Sequence, residues 1–115
     1  MQITTYTLPD SGYTVDINID PTWGEMETIE NYLRNNTQGR IEHGEFVADI
    51  TGAILIKEEE TRFSILVKSI KDKDGKELGN SMNIVRDFTY TDGNFIKKAI
   101  ADAIEEIKKK SKMSE

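Results

Sequence analysis

The chain has no cysteine, which excludes thiol nucleophiles, cysteine-ligated zinc and disulfide frameworks and gives no hint of secretion. Its one histidine, His43, lies between Glu42 and Gly44 with no candidate nucleophile beside it, so it reads as an exposed loop residue rather than a general base. No stretch approaches the ~18 consecutive apolar residues of a membrane span, and the opening MQITTYTL has neither the basic region nor the apolar run of a leader. The expected compartment is the cytoplasm, where the sequon Asn35-Asn36-Thr37 carries no weight. Basic residues are in deficit, 15 against 21 acidic for a net charge of -6, which disfavours binding to nucleic acid. The deficit is uneven: residues 1–96 carry 9 basic and 17 acidic side chains, residues 97–115 carry 6 and 4. An acidic body of this kind first of all keeps a small protein soluble.

Catalytic motifs are also missing. There is no G-x-S-x-G, no H-E-x-x-H, no phosphate-binding glycine loop and no dinucleotide fingerprint. The carboxylate clusters have structural explanations: Glu25, Glu27 and Glu30 as the wet face of a helix, Glu58-Glu59-Glu60 as a helix start, Asp72 and Asp74 as a turn. The turn Lys71-Asp72-Lys73-Asp74-Gly75-Lys76 resembles a calcium loop superficially. Aligning Gly75 with the invariant glycine, however, puts Ile70 and Ser81 where acidic ligands belong. The expectation is a protein that is not an enzyme, with no catalytic, cofactor-binding or metal residue and no cofactor.

What is present begins with residues 8–33, LPDSGYTVDINIDPTWGEMETIENYL. Residues 4–8 and 13–19 are rich in Thr, Tyr, Val and Ile and flank Pro9-Asp10-Ser11-Gly12, residue types that close turns. Two paired strands are expected, the second with Tyr13, Val15, Ile17 and Ile19 on an apolar face and Thr14, Asp16 and Asn18 on a wet one. Pro21 ends the strand, and Thr22-Trp23-Gly24-Glu25 has the Thr-x-x-Glu spacing of a capping box. A helix then starts at Trp23, with Met26, Ile29 and Leu33 continuing its apolar stripe. Trp23, the only tryptophan, either anchors the hairpin or faces a partner. The core is the expected place, because a large aromatic usually buries most of its area.

The succession LP-x-S-G-x-T-V followed by P-T-W-G-E resembles the tail assembly chaperones of long-tailed bacteriophages. The residues that carry the resemblance are Leu8, Pro9, Gly12, Val15, Pro21, Thr22, Trp23, Gly24 and Glu25. A weaker echo follows in residues 66–78 and in Asp92-Gly93. The resemblance implies a non-enzymatic chaperone in the host cytoplasm, absent from the mature virion, that binds the tape measure protein and keeps it soluble while the tail tube assembles. It assigns the nine residues to the hairpin and its junction with the helix and does not identify partner contacts. Two other classes stay open: a small acidic inhibitor such as an anti-defence protein, and a minor structural subunit of the virion.

Beyond Leu33, residues 35–39 (NNTQG) lose apolar side chains altogether, and a loop is expected from there to Glu45. Phe46, Val47, Ile50, Ala53 and Ile54 recur at helical spacing, which predicts a helix over 45–57 with Gly52 inside it. A further helix is expected from the acidic turn at Glu58, with Phe63, Leu66, Val67 and Ile70 as its stripe. A strand over 62–70 is the rival, so 53–70 is open between the two. Residues 77–91 have no period and read as an irregular connection with room for one short extended piece. From Asp92-Gly93-Asn94 a final helix carries Ile96, Ala99, Ile100, Ala103, Ile104 and Ile107 on one face, with Glu105–Lys109 and Glu106–Lys110 as i, i+4 pairs. This helix, near a free terminus, is also an element that could dock on another chain, so self-association is open. The predicted fold is α+β and mainly helical: an N-terminal β-hairpin packed on three or four helices. It forms a single domain over 1–110, followed by a frayed polar tail at 111–115.

Overall fold

The structure is a computed structural model that describes residues 1–32, 39–42, 45–48 and 52–113. It is a mixed α+β fold. The chain forms two compact units, Met1–Pro21 with Phe63–Glu115, and Thr22–Arg62.

The first unit is built on a four-stranded antiparallel sheet in the order β1 (Ile3–Thr7), β2 (Thr14–Asn18), β5 (Val67–Lys71), β6 (Glu77–Gly79). The hairpin read at the N-terminus is therefore half of a larger sheet. Its register pairs Tyr6 with Val15 and Thr4 with Ile17. β2 in turn pairs Val15 with Ile70 and Ile17 with Val67 across a bulge that leaves Lys68 unmatched. The helix α4 (Tyr90–Met113) packs on β2. Val15, Ile17, Val67 and Ile70 are buried, as are Ile96, Ala99, Ile100 and Ala103 of α4. The apolar stripe expected on the last helix is thus its core face. α4 starts at Tyr90, before Asp92, and runs through Met113, into the stretch expected to be a polar tail. Glu105 and Lys109 approach to 3.8 Å as expected, on an exposed face.

The second unit holds α1 (Trp23–Glu30), the paired strands β3 (Gly39–Glu42) and β4 (Glu45–Ala48), and most of α2 (Gly52–Leu66). The sequon and His43 lie outside the described residues.

Several expectations are corrected. The loop reading fails at Gly39–Glu42 and the helix reading at Glu45–Ala48, since these segments pair with each other, Arg40 opposite Val47 and Ile41 opposite Phe46. Apolar residues in so short a window satisfy a helical and an extended template alike, and cross-strand pairing decides. Gly52 opens α2 instead of interrupting a helix, and Glu58 to Glu60 lie within it, where Glu58 pairs with Arg62 one turn on. The stripe Phe63, Leu66, Val67 and Ile70 is buried throughout, yet only Phe63 and Leu66 are helical and the chain becomes β5 at Val67. In a regular strand residues three apart face opposite ways. The bulge adds the residue that turns Val67 and Ile70 to the same side.

Within the wet face assigned to β2, Asn18 is buried at 3% exposure. Its Oδ1 accepts from Asp20 N–H and turns the chain out of the strand. Residues 77–91 contain β6, a short helix α3 (Met82–Val85) and the first two residues of α4. The Asp72 turn stands as read, its Oδ1 accepting from the N–H groups of Asp74 and Lys76.

Candidate functional site

The nine residues of the motif divide into two environments. In the first, Leu8 is buried at the end of β1, its N–H donating to Tyr13 C=O and its carbonyl accepting from Gly12 N–H. Gly12 has a φ of +75°, a conformation costly for a residue with Cβ, and an added Cβ would stand 3.2 Å from Cε of Lys73. Pro9 is exposed, Val15 is buried and Pro21 half-buried.

The loop between β1 and β2 is tied to the start of α4. Asp92, only 1% exposed, accepts hydrogen bonds from Asp10 N–H at 2.8 Å and Ser11 N–H at 3.0 Å. Thr89 completes the clasp: its hydroxyl donates to Asp10 Oδ2 at 2.7 Å and its Oγ1 accepts from Asp92 N–H at 3.2 Å. Burial pushes the Asp92 carboxyl up, but the bonds from Asp10 N–H and from the Ser11 hydroxyl and N–H outweigh it, and the net direction is below the ordinary carboxylate value. A carboxylate so saturated with donors, at the positive end of a helix, stays ionised and holds structure in place; it has no proton to transfer at neutral pH. Beside the clasp opens a cleft of about 520 Å³ walled by Tyr13, Leu78, Ile84 and Phe88, with Asp10 and Asp87 in its lining. The Tyr13 and Phe88 rings meet edge to face at 5.6 Å.

Asp92, Thr89 and Asp10 went unread in the sequence as a site. The available signal was Thr89-x-x-Asp92, the same cap spacing as Thr22-x-x-Glu25. Nothing local to it indicates the Asp10 loop.

The second environment is the start of α1. Thr22 Oγ1 accepts from Glu25 N–H at 3.1 Å, and Glu25 Oε1 accepts from Thr22 N–H at 2.9 Å, a complete capping box as expected. Trp23 is not core: it is 79% exposed, and Gly24 beside it has open space where a side chain would be. The box fixes Trp23 as the first helical residue, and α1 has only Ile29 buried, so its inward face lies elsewhere. Leu55 and Ile56, on α2 in the same unit, are also exposed, at 45% and 50%. An exposed tryptophan in a chain with one is the kind of residue that carries binding energy at interfaces.

Among the described residues there is no group of three or more His, Asp or Glu side chains that could hold a metal ion, and no helix long and apolar enough to cross a membrane. Compared with known proteins, the chain matches no family model, no curated protein and no solved structure.

Proposed function

We propose that the protein is a non-enzymatic tail assembly chaperone of a long-tailed bacteriophage, binding the tape measure protein and keeping it soluble until tail tube subunits enclose it. In this reading the sheet with α4 packed on it forms one scaffold, and the Thr22–Glu25 cap at the head of α1 presents the contact residue. The observation that carries it is the 79% exposure of Trp23 inside the motif that resembles the family. An indole held out by a local cap, with Leu55 and Ile56 exposed in the same unit, suits the apolar stripe of a long helical partner. The acidic body, net -6 over the chain, keeps the complex dispersed. Contacts this few fit a partner that must be released. The protein then acts in the host cytoplasm and is absent from the finished particle.

Co-expression with the tape measure protein of the same phage tests this. The soluble yield of that protein should rise and the two should co-purify, and Trp23→Ala should abolish both effects while leaving the chaperone folded. A tape measure protein equally insoluble with and without the chain rejects the reading.

A further inference from the structure

The outer edge of β1 has the features of a strand that pairs again. Leu8 N–H donates to Tyr13 C=O and Ile19 N–H to Gln2 C=O. In the register that sets Ile3 opposite Asn18 and Thr7 opposite Thr14, these bonds direct the backbone groups of Gln2, Thr4, Tyr6 and Leu8 toward β2. The N–H and C=O groups of Ile3, Thr5 and Thr7 point the other way, and among the described residues no strand lies beyond β1. Sheet edges are normally protected by charge, proline, a bulge or extreme shortness. β6, at the opposite edge, is protected: it has three residues, among them Glu77 and the positive-φ Gly79, and an irregular register. β1 has none of these devices. It is ITTYT, uncharged and in regular register for five residues, with Ile3 40% exposed.

We propose that β1 is a homodimerisation edge, pairing antiparallel with β1 of a second copy about a two-fold axis at Thr5 and joining two four-stranded sheets into one. The occupant is a second copy because the edge is complementary to itself. About Thr5, Ile3 stands opposite Thr7 of the partner subunit, Thr5 opposite Thr5 of the partner subunit, and Thr7 opposite Ile3 of the partner subunit. Every outward residue therefore meets an outward residue, with no charge opposed to like charge.

The helix above the edge agrees. The Tyr6 ring meets Phe95 of α4 edge to face at 6.3 Å, and burial, then the carboxylates of Glu106 and Asp102 on the same helix, raise the Tyr6 phenol above its ordinary value. Lys110 Nζ lies 3.1 Å from Gln2 Oε1, at the other end of β1. The two-fold axis sets Tyr6 opposite Thr4 of the partner subunit and diagonal to both Gln2 of the partner subunit and Tyr6 of the partner subunit. Lys110, held at Gln2 of each copy, then offsets the Glu106 and Asp102 carboxylates that the axis brings toward one another at the two Tyr6 positions. An extended peptide of a different protein could match the backbone bonds, but the charges of both signs at this spacing are supplied by the chain itself. The inference rests on the strand edge and is independent of the chaperone reading.

Sedimentation equilibrium on the full chain, from about 1 to 200 μM to suit a short edge-strand interface, should show the mass rising from 13.1 kDa toward twice that value. Thr5→Pro removes an outward N–H without taking a bond from the β1–β2 ladder. It should weaken dimerisation roughly 30-fold through two lost inter-strand bonds, with the circular dichroism of the fold retained. Lys110→Glu, at an exposed position that leaves the ladder untouched, should weaken the dimer, and adding Glu106→Lys should restore it. This charge pair decides the matter if Thr5→Pro does not fold. A mass of one chain across the whole range overturns the proposal, and so does a dimer indifferent to both Lys110→Glu and a folded Thr5→Pro.

Discussion

Asp92 and Glu25 both stand in the first turn of a helix and both accept hydrogen bonds from backbone amides, but Asp92 reaches an amide 82 residues away and Glu25 one three residues away. The Glu25 bond closes a box within one turn and is exposed. It decides where α1 starts and leaves Trp23 in solvent. The Asp92 bonds are part-buried, on a carboxylate that is itself buried, and join the β1–β2 loop to α4. Similar chemistry thus sets a boundary in one place and holds tertiary structure together in the other, because only the buried carboxylate of Asp92 links segments distant in the chain and is itself cut off from water.

Breaking the clasp should have the largest effect. Asp92→Ala strands two loop amides and should lower stability by about 3 kcal/mol, measured by urea unfolding, whereas Asp92→Asn keeps one acceptor oxygen and should lose less. A loss no larger than that of an exposed cap would remove the distinction between the two sites.

The same contrast predicts a pH dependence. The folded carboxyl of Asp92 lies below its ordinary value of 3.8, so its contribution is fully present above that value and disappears as pH falls through the lower, folded one. The slope of stability in this acid range should be shallower in Asp92→Asn, as read from melting temperatures between neutral pH and the acid limit.

Gly12→Ala places a side chain at a positive φ and near Lys73, and should cost about 1–2 kcal/mol, seen as a lower denaturation midpoint. Thr22→Ala removes one partner of the local box and should cost ~1 kcal/mol; an unmoved thermal melt would mean that the box does not determine the helix start. Trp23→Ala should change stability by less than about 0.5 kcal/mol, since the indole touches little of its own chain. A large loss would show that Trp23 packs after all.

Patterns that depend on neighbours along the chain were readable. The turn at 9–12, the Thr22–Glu25 box, the Asp72 turn and the stripe from Ile96 to Ala103 each involve residues a few positions apart, so local hydrogen bonding or helical period suffices to specify them. Even the burial of Phe63, Leu66, Val67 and Ile70 was legible, though the element was not. Whether Val67 continues a helix or enters a strand depends on β2, fifty residues earlier in the chain, and on a bulge that no periodicity announces. The pairing of Gly39–Glu42 with Glu45–Ala48 was settled in the same way.

The candidate site divides along the same line. Sequence by itself determined the cap that places Trp23 at the head of a helix, because both partners of that box lie within one turn. Only the tertiary structure decided that Trp23 is exposed, that Asn18 is buried and that Asp92 reaches back to Asp10. Exposure and long-range hydrogen bonds are set by what the fold brings alongside a residue, and that depends on packing between segments far apart in the chain.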